Sequence, residues 1–321
     1  MGHAKFVFTI LFVSAALALT LSLFVGSVSL LDADWRNVMA VDSLAHTLVF
    51  DLRLPRSLTA FACGGLLAMA GALMQVLLRN PLADPFIMGV SGGAAVGALS
   101  AILLGLAASL IDVCAALGAL CATIIVFRLA HGEGGWTTAR LLLTGVVVAA
   151  GASAVISLLL SLSDDSRLRN MLFWLMGDVS LSRGGARLMG ILAIALVVCQ
   201  PFSRHLNVLA RGELQARILG APVDALRIGI FVCSSALTAM TVTAAGTIGF
   251  VGLVTPHLAR LMLGSDHRRV LPAAALLGGT LVTLADLAAR TLFAPRQLPV
   301  GALTALTGVP LFLFLMRRVR S

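Results

Sequence analysis

The sequence predicts an all-α polytopic membrane protein, with about ten transmembrane helices in a single transmembrane domain over residues 1–321. The chain is 59% hydrophobic and only 12% charged, with a mean hydropathy of +1.03, whereas an average soluble domain has roughly 25% charged residues. So few charges cannot cover the surface of a water-soluble globule of this length. The composition also excludes a disordered chain, a collagen, a disulfide-stapled secreted domain and a coiled coil.

Ten apolar stretches are candidate spans, since a crossing takes about 20 apolar residues. They are 6–31, 54–78, 86–107, 111–129, 139–162, 188–202, 228–248, 250–263, 270–293 and 299–316. The first is longer than the roughly 7 to 15 residues of a signal-peptide core, so we expect it to remain as a span. Glycine-rich stretches after Gly89 and Gly246 favour close helix packing or a broken helix.

The distribution of basic residues favours a cytoplasmic location for both termini. With that orientation, 14 of the 23 Lys and Arg residues fall inside and nine fall outside, in agreement with the positive-inside rule. The arginines are scattered between apolar stretches and form no basic stripe with interleaved aromatics. The net charge of +9 therefore indicates membrane topology, and no nucleic-acid partner is expected.

Two loops carry patterns of their own. In the outer loop, 163–187, apolar residues at 168, 171, 172, 175 and 176 predict a short amphipathic helix at the membrane interface. In the inner loop, 207–227, Glu213 to Leu219 fits a short helix ended by Gly220, and Pro222 can open a second short helix. This cytoplasmic helix pair suits the docking of a soluble partner, and an incidental interfacial helix is the alternative.

No residue pattern predicts a catalytic residue, a cofactor or a metal site. The five cysteines lie within apolar runs, as packing residues do, and His257 lacks the partners of a catalytic or metal-binding histidine. The sequence contains no Gly-x-x-x-x-Gly-Lys-Ser/Thr motif, so a separate subunit must hydrolyse any ATP. Asp286 lies inside a span, where a carboxylate is a candidate for ion coupling. Arg290, at i+4, favours a structural ion pair instead.

Six motifs, in order along residues 50 to 318, resemble the permease subunits of ATP-driven importers for iron-siderophore complexes, haem and cobalamin. They are Arg53-Leu-Pro-Arg56, Asn80-Pro-Leu-Ala-Asp-Pro85 with Gly89-Val-Ser-Gly-Gly, Gly212-Glu-Leu-Gln-Ala-Arg-Ile-Leu-Gly220, Gly249-Phe-Val-Gly-Leu-Val-Thr-Pro-His257 with Asp266-His-Arg, Ala285-Asp-Leu-Ala-Ala-Arg290, and Leu298-Pro-Val-Gly-Ala-Leu-Thr-Ala-Leu-Thr-Gly308. One position departs from the family pattern, because Gln297 stands where the family usually has glutamate.

The resemblance implies a homodimer in the bacterial inner membrane whose subunits each have ten spans, with spans 2 to 5 and 7 to 10 related by an inverted repeat. It implies that the loop between spans 6 and 7 docks on a cytoplasmic ATPase subunit. The contact residues would be Glu213, Ala216, Arg217, Leu219 and Gly220.

The resemblance also implies that outer arginines pair with acidic residues of a periplasmic substrate-binding protein. The candidates are Arg53, Arg56 and Arg296. The alternative for the first two is pairing with Asp51 or with lipid phosphate. Ferric siderophore is the first expectation for the cargo, with cobalamin and haem as alternatives, and an ion-coupled carrier using Asp286 is the distant rival.

Overall fold

The computed structural model of the protein describes residues 2–26, 38–39, 42–131, 137–180 and 184–319, with side chains to residue 315. Within these ranges the regular structure is entirely helical. The α-helices are α1 (Gly2–Phe24), α2 (Leu44–His46), α3 (Leu54–Leu77), α4 (Val90–Leu103), α5 (Ala108–Ala130), α6 (Thr138–Ser161), α7 (Asp165–Met176), α8 (Gly185–Cys199), α9 (Ser203–Leu209), α10 (Glu213–Ile218), α11 (Val223–Ala245), α12 (Val251–Leu263), α13 (His267–Thr291) and α14 (Val300–Val319). A π-helical stretch, Thr47–Arg53, joins α2 to α3, and 3-10 turns precede α4 (Pro85–Met88) and α9 (Gln200–Phe202).

Helix α3 forms the centre of the bundle. Every residue from Thr59 to Leu77 is buried, because α8, α11, α12 and α13 pack around it. A helix that is apolar on all sides is typical of such a central position. With about 1.5 Å of rise per residue, its 24 residues separate the two ends of the bundle by about 36 Å.

Glycines allow the central helices to approach closely. A methyl group on Gly64 of α3 would collide with the carbonyl oxygen of Gly278 on α13, and the same holds for Gly93 of α4 against Gly118 of α5. Small residues at helix crossings are the usual means of tight packing in membranes, where burial of apolar surface drives little helix association.

Seven helical segments are long and apolar enough to cross a membrane. They are Gly2–Phe24, Leu44–Leu77, Ala108–Ala130, Thr138–Ser161, Gly185–Leu209, Val223–Ala245 and His267–Thr291. Three shorter apolar helices, Val90–Leu103, Val251–Leu263 and Val300–Leu315, correspond to predicted spans 3, 8 and 10. A total of ten requires that these three also cross, so the exact count stays a prediction, as does the inverted repeat.

The two patterned loops fold differently. The loop 163–187 contains α7, which confirms the predicted short helix, and its Met171 is fully buried. Between Arg211 and Pro222, the loop 207–227 contains one short helix, α10, and not the predicted pair. Pro222 is the N-cap of α11, and no helix breaker follows it before the apolar run, so the second helix continues as a full span.

Candidate functional sites

The short helix α10 lies at one end of the bundle and is closed by a glycine turn. Gly220 lies directly after Leu219, the C-cap of α10, and has a positive φ of 74°. Its N–H donates to the carbonyl of Arg217 at 3.0 Å, and the N–H of Ala221 donates to the carbonyl of Ala216 at 2.9 Å. This pair of bonds is the Schellman arrangement, in which glycine suits the left-handed position. The predicted helix end at Gly220 is therefore confirmed.

Ion pairs attach α10 to its neighbours. The Glu213 carboxylate lies 3.2 Å from Arg227 of α11 and 3.8 Å from Arg79, just beyond α3. Arg217 lies 2.8 Å from Asp224 in the first turn of α11. Glu213, at the start of α10, thus contacts both α11 and the residue just beyond α3. Arg217, near the end of α10, contacts α11. The Glu213–Arg227 pair is the least exposed of the three, so α10 is attached most closely to α11.

The outer surface of α10 is apolar. Leu214, Ile218 and Leu219 are 74%, 75% and 65% exposed. The first two lie one turn apart, so they share a face. Ala216 is fully buried, so its predicted contact role is corrected: it packs α10 onto the bundle, because its position faces inward. Sequence reasoning missed Leu214 and Ile218, although their i, i+4 spacing in a polar loop was a usable signal.

A polar cavity of about 620 Å³ lies beside α10. Its lining includes Gln75, Arg79, Asn80, Asn207, Arg211, Arg260, Asp266 and His267. The amide of Asn207 donates to Asp266 at 2.7 Å and accepts from the backbone N–H of His267 at 2.8 Å, with the His267 Nδ1 at 2.7 Å. Burial opposes ionisation of Asp266, but the bonds from Asn207 and the Arg268 N–H and the nearby charges of Arg268 and Arg269 lower its pKa overall. This network fixes the start of α13 against α9.

At the opposite end of α3 a buried carboxylate is held by two arginines. Arg56 of α3 contacts both oxygens of Asp286 at 2.8 to 3.0 Å, and it also donates to Gln297 at 3.2 Å. Arg290 lies farther away, with 3.8 Å between its Nε and Asp286, and it donates to Ser22 of α1. The predicted Asp286–Arg290 pair is present, but Arg56 makes the shorter and more numerous bonds.

The predicted docking arginines divide into two groups. Arg53 is 95% buried and donates to the carbonyls of Leu23 and Phe24 at 3.0 Å. Arg56 is engaged with Asp286, as described above. The expectation that both present their side chains at the outer mouth is therefore corrected: they join α1, α3 and α13, because the end of α1 and the carboxylate of α13 lie within their reach. Arg296 is exposed.

Within the described ranges, no group of three or more His, Cys, Asp and Glu side chains is arranged to hold a metal ion. The five cysteines are all free thiols. The exposed apolar side chains of α10 and the ion pairs at both ends of the bundle are suited to docking and to charge pairing.

Comparisons with known proteins identify the family of this chain. The model of the FecCD transport family matches residues 14–318. The vitamin B12 import system permease protein BtuC of Escherichia coli O127:H6 is 39% identical over 306 residues, which is 94% of this chain and 91% of BtuC. The ABC transporter permease protein YvrB of Bacillus subtilis is 40% identical over 292 residues, 87% of this chain and 82% of YvrB.

A solved structure has the same fold. It is described as an inward-facing conformation of a metal-chelate type ABC transporter and superposes with a TM-score of 0.86 at 32% identity, covering 98% of this chain and 99% of that one. Permeases of this class are non-catalytic multi-pass inner-membrane proteins that form dimers and pair with an ATPase subunit and a substrate-binding protein. An ion-coupled carrier that acts alone is thereby excluded. The chain belongs to the FecCD transport family and is a permease subunit of an ABC importer.

Proposed function

We propose that this permease moves an iron chelate, a ferric siderophore, across the inner membrane, with α10 seated on the ATPase subunit. The observation that carries the docking assignment is the exposed apolar surface of Leu214, Ile218 and Leu219. They lie on a helix that ion pairs attach to α11. Exposed apolar patches next to polar residues are typical of protein interaction sites. A short helix attached to α11 by ion pairs and by the Gly220 turn can pass the movement of a bound partner to the bundle.

In this proposal the α10 end faces the cytoplasm, and so do both termini. The N-terminal segment lies at that end, since His3 contacts the carbonyl of Met262. The opposite end, with Asp286 and Arg296, then faces the periplasm. Arg296 is the remaining candidate for an acidic residue of the binding protein, and two copies of the chain enclose the pathway.

The docking assignment is tested by copurification with the cognate ATPase subunit. Ile218→Glu places a charge in the apolar surface and is expected to abolish stable association. The matched control is Gln215→Glu, which adds the same charge at an exposed polar position of the same helix and should leave the complex intact. Equal association of the two variants would contradict the assignment.

Cobalamin is the second candidate cargo, because BtuC is named as a vitamin B12 permease and matches nearly the full chain. Both candidates are large metal chelates, in line with the description of the solved relative. The deciding experiment is identification of the ligand that the cognate binding protein retains on purification. A hydroxamate or catecholate iron complex supports the siderophore, a corrinoid supports cobalamin, and a porphyrin supports the third alternative, haem.

A further inference from the structure

A groove separate from the polar cavity beside α10 lies at the same end of the bundle. It lies next to the 3-10 turn between α8 and α9. It has a volume of about 520 Å³ and is lined by Gln200, Pro201, Arg204, His205 and Arg268. The side-chain amide of Gln200 donates to the carbonyl of Arg268 at 2.8 Å. That bond holds the start of α13 against the end of α8, so the two arginines come from separate helices joined at the groove.

An apolar face of α8 leads directly to this groove. Ile194, Val197, Val198 and Phe202 are exposed at spacings of three and four residues, which places them on one helical face. Pro201 continues the same face. Helices α8 and α9 belong to one candidate span, Gly185–Leu209. Its exposed apolar face is thus available to acyl chains, and the groove lies at the end of that face.

The distance along this span from Ile194 to Arg204 is about half the thickness of the hydrocarbon core. The ten residues from Ile194 to Arg204 correspond to a rise of about 15 Å, which is about half of the roughly 30 Å hydrocarbon core. With Arg204 at the level of the lipid headgroups, Ile194 therefore lies near the bilayer midplane.

Arg204 and Arg268 give the groove a positive charge, which is suited to binding an anion. Arg204 and Arg268 are exposed, and neither forms an ion pair with a carboxylate within the described part of the chain. The neighbouring Asp266 carboxylate is bonded to Asn207 and to the N–H of Arg268. The groove thus offers two guanidinium groups, and guanidinium binds phosphate through paired N–H donors.

We propose that this groove binds an anionic phospholipid, with its phosphate between Arg204 and Arg268 and one acyl chain along Ile194, Val197 and Val198. A basic groove between spans, above a lipid-facing apolar face, is the arrangement expected for headgroup recognition. A lipid bound here bridges the end of α8 to the start of α13, next to α9 and the segment that leads to α10. Assignment to the cytoplasmic leaflet rests on the proposed function, whereas the binding itself does not.

The test measures lipid retention by the purified permease with native mass spectrometry. The probes are cardiolipin, phosphatidylglycerol and phosphatidylcholine, and the variant is Arg204→Gln with Arg268→Gln. We expect the anionic lipids to bind and the double variant to bind them about 30-fold more weakly, roughly fivefold for each arginine. The matched control is Arg128→Gln, since Arg128 is an exposed arginine in the last turn of another span, and it should retain wild-type binding.

Three results would overturn the proposal: equal retention of phosphatidylcholine, unchanged binding in the double variant, or an equal loss in the Arg128→Gln control. An added arm with inorganic phosphate separates the sources of the anion. Displacement of the lipid by millimolar phosphate would mean that the groove binds free phosphate and would also count against the proposal. The ATPase subunit is absent from the assay, so a failure here leaves the docking of α10 unaffected.

Discussion

Arg56 of α3 and Asp286 of α13, 230 positions apart in the chain, form a bidentate pair with N–O distances of 2.8 to 3.0 Å. Asp286 is fully buried, and the Arg56 side chain is 12% exposed. Arg290, one helical turn away, is at 3.8 Å from the same carboxylate. The contact that neutralises Asp286 therefore joins two spans instead of closing within one.

Asp286→Asn is expected to lower the thermal stability of the purified permease strongly. The change leaves the Arg56 and Arg290 charges in a buried site without their counter-ion, and breaking a buried pair in this way typically costs about 3–5 kcal/mol. The measurement is the midpoint of thermal unfolding in detergent. Arg296→Gln is the control, because it changes one charge at an exposed position of the same end. A stability loss no larger than that of the control would refute the structural role.

Gly220→Ala is expected to weaken coupling between ATP hydrolysis and transport. With φ at 74°, a side chain at this position costs roughly 1–2 kcal/mol, and the cost falls on the turn that orients α10. The measurement is the number of ATP molecules hydrolysed for each cargo molecule in proteoliposomes, which should rise. Gly190→Ala is the matched control, since Gly190 is helical with open space around it. The same ratio in both variants would speak against the turn as a coupling element.

Two further variants test α10 more severely. Arg217→Glu replaces the pair with Asp224 by a repulsion, and Gly220→Pro cannot adopt the positive φ of the turn. Both should uncouple hydrolysis from uptake and leave membrane insertion intact. Uptake at the wild-type rate in these variants would eliminate the docking assignment.

The stability of the permease should depend on the protonation of Asp84. Burial raises the pKa of Asp84 to about 6, against the opposing effect of the Phe86 N–H, which donates to it. Because the folded-state pKa lies above the ordinary value of 3.8, stability falls as the pH rises from about 4 to 6. It stays lower above that range, by up to about 3 kcal/mol.

Asp84→Asn removes this charge and keeps an acceptor for the Phe86 N–H. The gain in unfolding temperature over wild type should therefore increase between pH 5 and pH 7.5. Unfolding midpoints of both proteins at the two pH values provide the check. A difference that does not change with pH would contradict the raised pKa.

Cys199 and Cys233 should be linked by a mild thiol oxidant. Their Sγ atoms are 3.8 Å apart, and a disulfide requires an approach to about 2.05 Å. Diamide accepts the two hydrogens, so the protein should lose about 2 Da in intact mass spectrometry. Cys199→Ser should prevent the loss. Oxidation that instead links the exposed Cys121 of two molecules would show that Cys199 and Cys233 do not form the disulfide.

Local features of this chain were predictable from sequence because short-range rules decide them. The stretch 139–162 matches α6 within one residue, and the glycine turn after α10 is where the left-handed preference of glycine places it. The Arg56–Asp286 pair was missed because nothing in the sequence near either residue indicates which spans are neighbours. The second short helix after Pro222 was predicted wrongly for a related reason: proline favours a helix start and carries no information on the length that follows.

The ion pairs at the two ends of α3 differ in distance and in burial. At one end, Arg56 makes a short, buried, bidentate contact to a fully enclosed carboxylate. At the other, Arg79 reaches Glu213 only at 3.8 Å, with 45% of its side chain exposed, and such a solvated pair is worth at most about 1 kcal/mol. Gln75 also holds this end of α3, since it donates to the carbonyl of Leu253 and accepts from Arg260, both of α12. The weak contact is therefore the one between α3 and α10. A change in the position of α10 therefore costs only the exposed Arg79–Glu213 contact on the α3 side. Separation of α3 from α13 would instead leave the Asp286 carboxylate buried without its partner.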